Sequence, residues 1–185
     1  MSQPWHVALV QFQVSSEPQV NRQQVRHWLE QAMTQAGTPR TPKLLMLPEV
    51  WNSPYQAERF AEFAEPIPEL GADLRDGPSE SLKLVADFAV SHRVSVIAGS
   101  IPECSSDGRI FNTATVISPA GCLLAKHRKV HLFDVDIPGG IHFHESDSLT
   151  AGDQITVLSG VDDPLASGAS TPPNLGLQIC YDIRF

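Results

Sequence analysis

Cys180 lies five residues before the last residue of the sequence, in Gly176-Leu177-Gln178-Ile179-Cys180-Tyr181-Asp182-Ile183-Arg184-Phe185. The apolar run ahead of it reads as a buried strand that opens into a turn and presents a thiol. A thiol is a weak nucleophile at its free pKa, so it needs a base to make the thiolate and a cation to hold the negative charge that develops. Two earlier segments offer such groups. Glu49 follows Lys43-Leu44-Leu45-Met46-Leu47-Pro48, and Lys129 lies in Lys126-His127-Arg128-Lys129-Val130-His131-Leu132-Phe133-Asp134, three cations and two histidines in an otherwise acidic chain. Carboxylate, ammonium and thiol together suit amide hydrolysis, with a tetrahedral intermediate, loss of ammonia and hydrolysis of a thioester. From residue types alone this is one of many possible triples. Glu49 also reads as a solvated loop acid, and the basic run as a solvated edge strand. A metal set from His127, His131, His142, His144 and Cys180 is a third reading, weakened because neither histidine pair has a recognised zinc spacing.

The elements that must position these residues follow an α/β order. Trp5 to Val10 is β-rich, and Ser15 and Ser16 ahead of Pro18 mark a helix start. Val25, Trp28, Leu29, Ala32, Met33 and Ala36 fall on one helical face, closed by Gly37 and Pro39, and that face should cover a sheet. Lys43 to Leu47 is a continuous apolar run, as in a strand buried on both faces, and Pro48-Glu49 stops it at the carboxyl end, where ligands collect in open α/β sheets. Pro66 to Ser81 reads as a loop, with Ser79 capping a helix that carries Leu82, Val85, Phe88 and Ala89 on one face. Strands are expected at Val94 to Ala98, Asn112 to Ile117 and Cys122 to Ala125. The last two form a hairpin around Pro119-Ala120-Gly121 that makes the sheet mixed. Pro138-Gly139-Gly140 marks a loop, and Leu158 to Asn174 reads as an exposed excursion.

Composition narrows the partners. With 185 residues and 42% hydrophobic content the chain can bury the core of a single domain. A net charge of -8 disfavours nucleic acid and anionic membrane surfaces, and no window reaches the length of a membrane span. The odd, widely spaced Cys104, Cys122 and Cys180 suit a reducing compartment, and the start lacks a basic region followed by an apolar run. A cytoplasmic address is expected, with a mitochondrial one left open.

The wording around the triple resembles the nitrilase superfamily of carbon-nitrogen hydrolases, closest to its omega-amidase branch. The resemblance runs through Leu47-Pro48-Glu49, Asn52-Ser53-Pro54-Tyr55, Gly99-Ser100-Ile101-Pro102-Glu103, Phe111-Asn112-Thr113, Leu124-Ala125-Lys126, Arg128 to Phe133, Phe143-His144-Glu145-Ser146, Gly152-Asp153 and Gly176 to Phe185. It implies an α-β-β-α sandwich and a Glu-Lys-Cys triad, with Glu49 as general base, Lys129 as the cation by the oxyanion and Cys180 as nucleophile. It further implies Glu145 as a second glutamate supporting the lysine, Tyr55 lining the pocket and the Tyr181 backbone N-H as an oxyanion donor. Arg184 could meet a substrate carboxylate or pair with Asp182. Cys104 and Cys122 match no family site.

Family members continue beyond the nucleophile strand with a helix and further strands, so the chain is expected to be the N-terminal part of one carbon-nitrogen hydrolase domain spanning 1–185, C-terminally truncated, with 162–173 a loop insertion. The implied activity is hydrolysis of the terminal amide of small dicarboxylate monoamides such as α-ketoglutaramate and succinamate, without a cofactor, by a chain whose full-length relatives form homodimers. Alternatives are a deaminated-glutathione amidase, a nitrilase, or a non-catalytic remnant that binds a full-length homologue.

Overall fold

The computed structural model describes residues 6–35, 44–159 and 174–185. Its centre is a five-stranded sheet of β1 (Val7–Leu9), β2 (Leu44–Met46), β3 (Ser95–Cys104), β4 (Ile110–Ile117) and β5 (Leu123–Arg128), in that spatial order. β1, β2 and β3 are parallel, and β4 and β5 return antiparallel, which makes the sheet mixed as expected. One face carries helices α1 (Pro18–Gln35) and α3 (Glu80–His92). Val25 and Leu29 of α1 and Leu82, Val85 and Ala89 of α3 are buried with Leu45, Val96 and Ala98 of the sheet. Ser79 caps α3 as its sequence requires, accepting from the Leu82 N–H, and Ser15 accepts from the Glu17 N–H just ahead of Pro18.

The opposite face is covered by a two-stranded sheet, β8 (Thr156–Leu158) with β9 (Leu175–Leu177), whose Leu158 and Leu177 pack on Leu44, Ile97, Val116 and Ala125. Helices, sheet and second sheet give three layers of the expected sandwich. β2 is buried on both sides, Leu45 toward the helices and Leu44 toward β8 and β9, which is why its sequence is uniformly apolar. The hairpin β6 (Asp134–Asp136) and β7 (His142–His144) forms its own two-stranded sheet after β5, and a short helix α2 (Phe60–Phe63) follows a 3₁₀ turn at Ala57–Arg59. Among the described residues no helix is long and apolar enough to cross a membrane.

Several expectations change. Trp28, on the expected apolar face of α1, is 40% exposed, because the sheet-facing stripe is filled by Val25 and Leu29. β3 does not end at Ala98. It shifts register between Ile97 and Ser100 and continues to Cys104, so Gly99 and Pro102, past the expected end, lie inside a bulged strand. β5 likewise runs through the basic segment to Arg128. The loop from Pro66 to Ser81 holds a 3₁₀ turn at Leu74–Asp76 that buries Leu74. The strand that leads to Cys180 pairs with β8 and not with the five-stranded sheet. The supposed insertion at 162–173, and Trp5, Ala36, Gly37 and Pro39, lie outside the described residues.

Candidate active site

Glu49 is placed by the turn that ends β2, and this turn is tied to the β3 bulge at several points. The Leu47 N–H donates to Ile97 O at 3.0 Å, the Ser100 N–H to Pro48 O at 3.2 Å, the Val50 N–H to Ser100 Oγ at 3.0 Å, and Trp51 Nε1 to Ala98 O at 2.7 Å. Gly99 makes this possible. Its φ of +58° is left-handed, and a Cβ there would lie 2.0 Å from Pro48 O, so any side chain would push the glutamate turn away. Glu49 is thereby held with Oε1 accepting from Asn112 Nδ2 at 2.8 Å, Lys129 Nζ at 3.1 Å and the Tyr55 hydroxyl at 3.4 Å.

Lys129 follows β5 and is fully buried. Its N–H donates to Asn112 O and its carbonyl accepts from the Gly152 N–H, both at 2.8 Å. Gly152 packs so closely that a Cβ would meet Arg128 O at 2.3 Å. The Lys129 ammonium lies 3.1 Å from Glu49 and 2.9 Å from Glu145, itself fully buried in the 3₁₀ turn after β7. Glu145 also accepts from the Phe133 N–H at 2.6 Å and from the Tyr55 hydroxyl. Burial works against a charged lysine here, but the two carboxylates outweigh it and hold the Lys129 pKa above its ordinary value. Burial, then the charge of Glu49, pushes the Tyr55 hydroxyl far up, so Tyr55 stays a hydrogen-bond donor.

Cys180 opens a 3₁₀ turn, Cys180–Arg184, with a left-handed φ of +47°. A non-glycine residue in that region is uncommon and marks a constrained elbow in the backbone. Cys180 and Glu49 line the same cavity, and the thiol pKa is raised by burial first and by the Glu49 charge next, with Lys129 pulling it down. The resting side chain is therefore a thiol next to a carboxylate. A cavity of about 310 Å³ runs along Glu49, Gly99, Ser100 and Cys180 toward β9.

The elbow is anchored through Asp182. This buried carboxylate accepts from the Ile179, Val130 and His131 N–H groups at 3.0, 3.2 and 2.8 Å. The imidazoles of His127 and His131 lie 3.1 and 3.0 Å from it. Burial alone would raise its pKa, but these donors bring it down to about 2. A carboxylate lowered in the folded state adds stability that is complete above the unfolded value near 4 and is lost as pH falls toward 2. We expect Asp182→Asn to cost about 2 kcal/mol at pH 7 and the deficit to shrink between about pH 4 and pH 2. Urea melts at several pH values check this, and a deficit independent of pH would contradict it.

The structure thus brings Glu49, Lys129, Glu145, Tyr55 and Cys180 into one cluster. Tyr181 is half-buried with its ring edge-on to Phe133 at 5.3 Å. Arg184 is exposed and makes no ion pair with Asp182, whose acceptors are taken by the two histidines and backbone. The basic run does meet negative partners. Glu103, nearly fully buried, takes Arg128 through two contacts at 2.8 Å and Lys126 at 3.4 Å. Sequence reasoning assigned no role to Asn112 or Gly99 and offered Asp182 only as a partner for Arg184. Of these, Asp182 had a local signal, an acid two residues past a candidate nucleophile, whereas its partners lie about 50 residues back. The histidines proposed for one metal set separate into two pairs, His127 and His131 on Asp182 and His142 and His144 on Asp136.

A family model described as carbon-nitrogen hydrolase matches residues 6–185. The chain is 39% identical over 181 residues to an omega-amidase NIT2 of Homo sapiens, covering 98% of this chain and 56% of that protein. It is also 39% identical to a chloroplastic omega-amidase of Arabidopsis thaliana, of which it covers 43%. The chain therefore spans about half the length of the curated relatives it matches. Among solved structures, Saccharomyces cerevisiae Nit3, a member of branch 10 of the nitrilase superfamily, superposes with a TM-score of 0.75 at 32% identity, over 97% of this chain and 56% of that one. The NitFhit protein of C. elegans gives a TM-score of 0.72 at 24% identity over 100% of this chain and 40% of its own length, a likeness of fold.

Proposed function

Because this chain belongs to the carbon-nitrogen hydrolase family, we propose that it contributes the Glu49, Lys129 and Cys180 machinery of an amidase that hydrolyses the terminal amide of small dicarboxylate monoamides, of the α-ketoglutaramate and succinamate type. The observation that carries this reading is that Cys180 and Glu49 line one cavity while Lys129 bridges Glu49 and Glu145. The omega-amidase relatives support the substrate class.

In the proposed reaction Glu49 takes the Cys180 proton as the sulfur attacks the amide carbon. The oxygen that becomes negative is met by the Lys129 ammonium and the Tyr181 N–H. Collapse breaks the C–N bond, and Glu49 returns the proton to the departing ammonia, leaving a thioester. Water then adds to the thioester with Glu49 again taking its proton, and the carboxylic acid leaves as that proton returns to sulfur. Glu145 keeps Lys129 charged and pointed into the site, and Tyr55 orients both carboxylates. The raised thiol pKa fits a mechanism in which the base acts during attack, since a thiolate standing ready would need no proton acceptor. Arg184, exposed beside the elbow, is free to meet the distal carboxylate of the substrate.

Ammonia release by the purified chain tests the reading. Succinamate is expected to be hydrolysed in preference to butyramide, which lacks the distal carboxylate, and Cys180→Ala is expected to abolish release. A folded chain that turns over neither amide, or a Cys180→Ala variant that keeps turnover, would defeat it.

A further inference from the structure

We propose that the β6–β7 hairpin is a binding site for a divalent transition metal ion of the zinc class, held by Asp136, His142 and His144. The three come together through strand register. Asp136 lies directly opposite His142, and His144 is two residues further on β7, so the imidazoles share a face. Their rings are 4.6 Å apart, Asp136 Oδ2 is 3.0 Å from His144 Nε2, and Asp136 Oδ1 contacts His142 Nδ1. One ligand atom from each residue lies within 4.8 Å of the others. Ligand atoms about 2.0–2.2 Å from a tetrahedral ion sit roughly 3.4 Å apart. Small rotations therefore close the set, and the Asp136 and His142 side chains, 64% and 72% exposed, are at liberty to make them.

The backbone behind the ligands is already fixed. The turn is clasped by Ile137 N–H to Ile141 O at 2.9 Å and Gly140 N–H to Ile137 O at 2.8 Å, with Gly139 at φ +72°. The other face of the hairpin is anchored, since Phe143 stacks on Tyr55 at 5.8 Å and lies 6.3 Å from Phe133. Two imidazole nitrogens and one carboxylate oxygen select Zn2+ and its neighbours over Ca2+ or Mg2+, which take oxygen ligands, and water fills the remaining positions. An ion there would staple β6 to β7 immediately ahead of Glu145. The site is separate from the Glu49, Lys129 and Cys180 cluster and stands whether or not the amidase reading does.

Calorimetric titration of the chain with Zn2+ tests it, with circular dichroism confirming that each variant is folded. One ion per chain is expected, with affinity at least tenfold weaker in both His142→Ala and His144→Ala and unchanged in Cys180→Ala. As a readout that needs no variant, Ni2+ should broaden the ring resonances of His142 and His144 before those of His127 and His131. Absence of saturable Zn2+ binding, affinity indifferent to both histidine substitutions, loss of binding in Cys180→Ala, or Ni2+ broadening that starts elsewhere would each overturn the proposal.

Discussion

Glu49→Gln is expected to lower amide turnover by roughly 10²–10⁴-fold, the usual contribution of a positioned general base, with little change in fold. The structural neutrality follows from the hydrogen bonds. Asn112, Lys129 and Tyr55 all donate to Oε1 of Glu49, so a glutamine oxygen in the same place accepts all three, and the amide nitrogen takes the position of the second oxygen. Lys129 also keeps Glu145 as a counter-ion. The thiol should respond in the opposite sense to turnover. Burial and then the Glu49 charge raise the Cys180 pKa, so removing the charge lowers it, and the pH profile of alkylation by iodoacetamide should move to lower pH while hydrolysis is lost. A purely structural role for Glu49 would not separate the two readouts. Wild-type turnover in Glu49→Gln would remove the proposed base.

Lys129→Met should damage both stability and chemistry. Lys129 is fully buried and is the cation between Glu49 and a Glu145 that is also fully buried. Methionine fills the space but leaves Glu145 without a counter-ion, and breaking a buried pair from one side costs about 3–5 kcal/mol. For a chain of this size that is roughly 6–20 °C in Tm. Loss of an oxyanion partner should take a further 10²–10³-fold from turnover. Because Lys129 pulls the thiol pKa down, its removal should move the alkylation profile to higher pH, opposite to Glu49→Gln. Adding Glu145→Gln to Lys129→Met should recover part of the melting temperature by removing the stranded charge, with no recovery of turnover. Thermal melts of the three variants check this. A single variant melting with the wild type would show that the buried ion pair contributes nothing to stability.

What could be read along the chain was whatever a short window encodes. The 3.6-residue spacing of Val25 and Leu29 and of Leu82, Val85 and Ala89 identified two helices and their buried sides, because an amphipathic helix repeats its apolar residues locally. The uniform apolar run at β2 was legible for the same reason, being covered on both faces. Glu49, Lys129 and Cys180 stood out as chemical types at the ends of apolar or basic segments, and motif resemblance added Glu145 and Tyr55.

The windows failed where long-range contacts override local rules. The expected strand ended at Ala98, yet pairing with β4 carries β3 on through Gly99 and Pro102, and the glycine admits the Pro48 carbonyl. Trp28 satisfies the helical period but sits beyond the width of the covered stripe.

The sequence alone determined the family, the helices and central strands, and the residue types available for chemistry, since composition, period and motif are properties of neighbours in the chain. Only the tertiary structure decided which charges face one another. Lys129 lies 80 residues from Glu49 and 16 from Glu145, and His127 lies 55 from Asp182. The distances that set the Cys180 and Lys129 pKa values and that anchor the elbow through Asp182 exist only once β2, β5, the turn after β7 and β9 have packed together.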